Sequence, residues 1–216
     1  MPECFAIVGA GGHAKVVADA LLSSGHEMLG FYDDNPALLG AEPIPGVKVL
    51  GETKDLPGGL EKVKAVVILA VGENRVRCRL SRLLSVPYGV ACSPSAVLGH
   101  GVRIGKGSMI LPSATVNIDT DIGKHVILNT SCSVDHDCAV GDFVHIAPGA
   151  HLGGGVVVGE GAFLGLGSSV IPGIRIGRWS IVGAGAVVTK DLPDNCTAVG
   201  VPAKVIETRR EGWHLA

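Results

Sequence analysis

Aromatic side chains are scarce in this chain of 216 residues, where Phe, Tyr and Trp together make up 4%. A core of packed rings is thereby excluded, although 47% of the residues are hydrophobic. Neither sign of charge is in excess: the formal net charge is −2, which argues against nucleic acid or an anionic membrane as a partner. The six cysteines (Cys4, Cys78, Cys92, Cys132, Cys138, Cys196) contain no close C-x-x-C pair and no zinc spacing. No uncharged apolar run reaches the roughly 18 residues of a membrane span, and the start of the chain shows neither a basic n-region nor a cleavage site. The expectation is a cytoplasmic, soluble protein.

What the chain has in abundance is glycine, 32 residues of it, and a repeat. From Leu98 to Val188 an aliphatic residue recurs at every sixth position without a slip: Leu98, Ile104, Ile110, Val116, Ile122, Leu128 and so on to Val182 and Val188. A period of six fits neither the roughly 3.6 of a helix nor the 2 of an ordinary strand, so it calls for a repeat architecture of short flat segments and corners. Gly often follows the aliphatic, as at Gly99, Gly105 and Gly123, which suits a corner that is crowded or needs positive φ. Four places after the aliphatic the residue is mostly small, as at Ala114, Cys132, Cys138 and Ala150, so Cys132 and Cys138 read as prism core. The pattern resembles the hexapeptide-repeat left-handed β-helix, in which three units form one coil. Fifteen full units from Leu98 to Val187 make five coils.

Ahead of the repeat, the apolar run Cys4 to Val8 leads into Gly9-Ala10-Gly11-Gly12-His13-Ala14-Lys15 and a helical pattern reaching Gly25. Strand, glycine loop and helix in this order offer backbone N–H groups and a helix dipole to an anion. The dinucleotide fingerprint is incomplete, with Ala14 at its third glycine. A plain turn has no need of His13 and Lys15 at a helix start, where a cation opposes the dipole. A second strand over Glu27–Tyr32 ends at Asp33-Asp34, where such folds place a carboxylate against a ribose. A third strand is expected at Ala65–Val71, then an Arg-rich amphipathic helix from Arg75 to Leu84. The fold class is therefore an α/β Rossmann-like nucleotide-binding module, residues 1–90, followed by an all-β left-handed parallel β-helix with a closing segment, residues 91–216.

Polar outliers among the aliphatics and glycines mark the chemistry. Val134-Asp135-His136-Asp137-Cys138 puts a histidine on an outer face between two carboxylates. A His of ordinary pKa can take a proton at neutral pH, and a neighbouring carboxylate fixes its tautomer. His136 is the candidate general base and Asp137 its orienter. One coil later Gly154 stacks over His136, so its N–H could meet a developing oxyanion. Asn129 and His145 are further polar outliers on either side. A zinc site of the kind some β-helix enzymes build from histidines is disfavoured: His145 and His151 are one hexad apart and fall on different faces, and that reading leaves Asp135-His136-Asp137 and the nucleotide-like module unexplained; no metal is expected.

Taken together, these motifs resemble one family, the bacterial acetyltransferases of nucleotide-activated amino sugars with the related sialic-acid O-acetyltransferases. The likeness runs from the glycine loop through Asp33-Asp34, Pro94-Ser95-Ala96-Val97, the His136 segment and Phe143-Val144-His145-Ile146-Ala147-Pro148-Gly149-Ala150 to Gly200-Val201-Pro202-Ala203-Lys204. One departure is Ser93, where the family often has His. The resemblance implies a homotrimer with sites between subunits and acetyl-CoA as co-substrate. It implies an acceptor that is a UDP- or GDP-linked 4-amino-4,6-dideoxy sugar, with His136 as base and Asp137 as partner. It places Asn129 and His145 near the acetyl group or acceptor. Gly9, Gly11, Gly12, His13 and Lys15 would lie at the phosphates, Asp33 and Asp34 at base and ribose, and Gly154 and Lys204 along acetyl-CoA. O-acetylation of sialic acid or another glycan, and a trimeric nucleotide-binding scaffold without catalysis, remain open. An NAD-dependent enzyme would have the loop and Asp33 but no recognisable domain for a hydride acceptor.

Overall fold

The structure is a computed structural model that describes residues 3–60 and 63–215. The first part is a parallel sheet in the order β3-β2-β1-β4, built from β1 (Cys4–Val8), β2 (Glu27–Tyr32), β3 (Val49–Gly51) and β4 (Ala65–Leu69). Between and after these strands run α1 (Gly12–Ser23), α2 (Leu56–Leu60) and α3 (Asn74–Leu83). β1 and β4 are near-continuous apolar runs because helices and loops cover both sheet faces. Phe5 and Ile7 point towards Ala14, Val17 and Leu21 of α1, while Ala6 and Val8 point towards Leu56 and Leu69. The strand at Ala65 is thus the fourth in the chain. Val49–Gly51 was not expected, since a three-residue edge strand just beyond Pro43, Pro45 and Gly46 carries no periodicity to read.

From Ala91 the chain winds into a prism of two-residue strands that fall into three parallel sheets. Register is strict. Ile127 pairs with Met109 and His145, Ser133 with Thr115 and His151, and Ala139 with Asp121 and Val157, each one coil away. From Met109–Ile110 onward the second residue of each strand points inward: Ile110, Leu128, Ile146, Leu164 and Val182 are fully buried, as are Ala114, Cys132 and Ala150 between them, while at the open end Leu98 is exposed and Ile104 half-buried. This is the physical content of the six-residue period. The prism begins one unit before Leu98, with Ala91–Cys92 paired to Met109–Ile110 and Cys92 standing where later units put an aliphatic.

The corners divide two requirements that the sequence had left together. The left-handed residue comes three places after the inward aliphatic, at 101, 107, 113 and every sixth position to 185, and it is Ser113, Asp119, His125, Ser131, Asp137, Phe143 or Trp179 as well as Gly. The glycine directly after the aliphatic is there for space: a Cβ on Gly105 would lie 2.5 Å from the backbone of Gly123 in the next coil.

Module and prism share one core. Phe5, Ile7, Val17 and Leu21 form a single buried cluster with Ala91, Met109, Leu111 and Ile127 of the prism face beneath them. After Val188 the chain closes with an antiparallel hairpin, Cys196–Val199 with Lys204–Thr208. Among the described residues no helix is long and apolar enough to cross a membrane.

Candidate active site

Asp135-His136-Asp137 forms one prism corner, between the sheet that holds Ser133–Val134 and the sheet that holds Ala139–Val140. Asp137 takes the left-handed position of that corner, φ 56°, which Asp tolerates better than most residues. Its carboxylate then lies 2.7 Å from His136 Nδ1. A carboxylate only accepts, so Nδ1 carries the proton and Nε2 presents its lone pair outward. Asp135 is turned the other way: one oxygen accepts the His136 N–H at 2.9 Å and the Asn117 amide of the preceding coil at 2.8 Å. The hydrogen bond to Asp137, and then the charge of Asp135, hold the imidazole above its usual pKa. Gly154 lies against this ring; a Cβ there would be 2.6 Å from Cε1 and Nε2. The N–H of Gly154 has no acceptor among the described residues.

A second cluster forms where α1 meets the prism. His145 donates from Nδ1 to the Gly72 carbonyl at 3.2 Å, which leaves Nε2 to accept from Asn129 Nδ2 at 3.1 Å. Asn129 Oδ1 in turn accepts the Thr130 N–H, fixing the amide's orientation. The His13 ring, in the first turn of α1, stands 6.2 Å from that of His145 between centroids. Its Nε2 is buried with no partner among the described residues. Burial, and then the charge of Arg77, push His13 down to about 4 and His145 down to about 3, so both are neutral at physiological pH.

The glycine loop runs from this cluster to the surface. Gly9 (φ 97°) turns the chain out of β1, and Gly11 and Gly12 are exposed. Gly11 caps α1 without any side-chain hydrogen bond, and the first turn holds no acid. Such a helix start presents free N–H groups to an anion. Asp33 spends one oxygen on the Ala10 N–H and the other on the Asn35 N–H, while Asp34 accepts the Thr53 N–H with one oxygen. Asp33 therefore holds the loop in shape before any ribose is considered. Lys15 is exposed on α1 and Lys204 is exposed in the closing hairpin.

The structure brings His13, Asn129 and His145 together and pairs His136 with Asp137 over Gly154. It keeps these two groups apart. Asn129 lies at the corner before Ser133–Val134 and His136 at the corner after it, so one prism face separates them. His145 and His151 fall in different sheets. A concavity of about 870 Å³ lies on the flat face of Asp121, Val157 and Arg175, and no histidine lines it.

Sequence reading missed Asn74, Arg77 and the tail. Arg77, on α3, is wholly buried, and Asn74 donates to the Gly161 and Ala162 carbonyls. Trp213 lies under the guanidinium of Arg209, and His214 stacks on Trp179 with ring centroids 4.0 Å apart. The only sequence signal was that Asn74 and Arg77, three apart, share a helix face with buried Cys78.

Residues 4–84 match the family described as PglD N-terminal domain, and residues 155–190 match the hexapeptide repeat of succinyl-transferase. Among solved structures, PerB from Caulobacter crescentus, in complex with CoA and GDP-perosamine, is 42% identical with a TM-score of 0.87, covering 94% of this chain and 97% of that one. The acetyltransferase domain of PglB from Neisseria gonorrhoeae FA1090 is 35% identical with a TM-score of 0.88, covering 94% and 100%. The uncharacterized protein L142 of Acanthamoeba polyphaga mimivirus is 33% identical over 112 residues, and the chain spans only 22% of the length of that curated relative. A nucleotide-binding module set on a hexapeptide prism defines a class of acyltransferase, and within that class the chain belongs to the nucleotide-sugar acetyltransferase family.

Proposed function

We propose that this enzyme transfers the acetyl group of acetyl-CoA to the 4-amino group of a UDP- or GDP-linked 4-amino-4,6-dideoxy sugar, in a site shared by two subunits of a homotrimer. The observation that carries this reading is the split arrangement: a base-like His136–Asp137 pair on one corner, a His13–Asn129–His145 cluster under the nucleotide module on another. The likeness to PerB, crystallised with CoA and GDP-perosamine, supports the substrate class, as do the complexes of Caulobacter crescentus perosamine N-acetyltransferase variants, a histidine replaced by asparagine or alanine, with the same two molecules. A prism corner facing a neighbour's module closes the gap that one chain leaves open.

In this mechanism the first-turn amides of α1, with His13 and Lys15, hold the diphosphate, and Asp33 and Asp34 line the nucleoside end. Acetyl-CoA runs along the prism towards the closing hairpin and Lys204. The sugar amine attacks the thioester carbonyl while His136 Nε2 takes its proton, and Asp137 stabilises the imidazolium that forms. The N–H of Gly154 donates to the oxyanion of the tetrahedral intermediate. Collapse releases the CoA thiolate, which recovers the proton from His136. No acyl-enzyme forms and no cysteine takes part.

The test is release of free thiol from acetyl-CoA with UDP- and GDP-linked 4-amino-4,6-dideoxy sugars and free sialic acid as acceptors. Saturable turnover with one nucleotide sugar is expected. Turnover with sialic acid alone would move the acceptor to a hydroxyl, and nucleotide binding without thiol release would make the protein a scaffold.

A further inference from the structure

Arg77 is fully buried, and among the described residues every oxygen that meets it is neutral. A buried guanidinium without a counter-ion is tolerated only when its donors are fully used. Here they are. Nε donates to the His125 carbonyl at 2.7 Å, Nη1 to Val71 at 2.9 Å and, more weakly, to Gly72 at 3.4 Å. Nη2 donates to Asn74 Oδ1 at 2.9 Å and to the Phe143 carbonyl at 2.8 Å. Asn74 then uses both protons of its amide on the Gly161 and Ala162 carbonyls, 3.0 Å each.

Positions 125, 143 and 161 are the same corner of three successive coils, all in the left-handed conformation (φ 54°, 60° and 67°). Among the described residues no backbone N–H in the coil ladder claims these three carbonyls. Arg77 and Asn74 thus read one corner of the prism, coil by coil, and pin the turn that joins β4 to α3.

We propose that Arg77 is a positioning residue for the acceptor site: it fixes the Gly72 carbonyl, and through it holds His145 as the Nδ1–H tautomer with Nε2 turned to Asn129. The proposal deepens the acceptor reading above and rests on it for its consequence in turnover. The Gly72 carbonyl receives both Arg77 Nη1 and His145 Nδ1, so a shift of the guanidinium moves the acceptor that sets the ring. Among the described residues the groups that meet His145 are Arg77, His13, Asn129, Phe163 and the Gly72 carbonyl, with no carboxylate among them. The two histidines are neutral and serve here as hydrogen-bonding groups rather than as charges.

The test compares the full-length protein with Arg77→Lys, which keeps the charge but cannot reach carbonyls of both elements at once. Long-range proton–nitrogen NMR of the imidazoles reads the His145 tautomer directly. Wild type should show a single Nδ1–H form, and the variant a mixture of the two tautomers. In parallel, KM for the nucleotide sugar should rise about tenfold with KM for acetyl-CoA unchanged. If Arg77→Lys does not fold, Asn74→Ala, which retains the arginine, is measured instead and should shift both readouts in the same direction by about threefold. A folded variant with an unchanged tautomer and unchanged KM overturns the proposal. Absence of turnover in the wild type would instead count against the acceptor reading, and the NMR comparison would still decide the role of Arg77.

Discussion

His136 Nδ1 lies 2.7 Å from the carboxylate of Asp137, and the two are adjacent in sequence. Neighbours can make so close a contact because Asp137 occupies the left-handed corner position (φ 56°), where the chain reverses under its own side chains. The corner that winds the prism also builds the His136–Asp137 pair.

Replacement of His136 by alanine should lower kcat by roughly 100-fold or more while leaving KM for acetyl-CoA nearly unchanged, since proton removal is a transition-state term. Steady-state kinetics at saturating acceptor measure it directly.

Asp137→Asn addresses the pH dependence. The hydrogen bond to Asp137, and the charge of Asp135 after it, raise the pKa of His136. A base must be unprotonated, so wild-type kcat/KM should fall as pH drops through that raised value. Loss of the carboxylate lowers the pKa, and the acid limb should move to lower pH while the plateau drops about tenfold or more, because nothing charged stabilises the imidazolium. A limb that stays in place would assign it to another group.

At Gly154 a methyl group would sit 2.6 Å from the His136 ring. The backbone there is unstrained, so Gly154→Ala should fold with near-normal stability and displace the imidazole. The expected result is a fall in kcat of about tenfold with little change in melting temperature.

Much of this was legible in the sequence, for a physical reason. One prism unit is six residues because its inward and outward positions are fixed by a two-residue strand and a corner, so the aliphatic at Leu98, Ile104 and onward reports the fold directly. β1 and β2 were legible as apolar runs bounded by glycine and acid, and His136 as an outlier in a repeat that allows few. Arg77 was not legible, since an arginine in an Arg-rich amphipathic helix reads as solvated, and only the docking of α3 on the prism shows that this one is buried. Trp213 and His214 stayed silent because a tail has no period, and their stacking partners Arg209 and Trp179 are set by tertiary placement alone. Val49–Gly51 was lost to its shortness.

The prism core gives a stability prediction. Leu164 is fully buried between Ile146 and Val182 of the neighbouring coils. Leu164→Ala should destabilise by about 2–5 kcal/mol in denaturant unfolding, because stacked coils cannot close over the cavity.

In the proposed site the base of one subunit meets the acceptor cluster of the next. Its most direct test mixes two variants that are each nearly inactive at low nucleotide-sugar concentration, His136→Ala and His13→Ala, by unfolding and refolding them together. Subunits that share sites regenerate an intact pair at some interfaces, and random assembly should restore about a quarter of wild-type turnover. Mixed oligomers that recover no activity beyond the sum of the two variants would contradict the shared site.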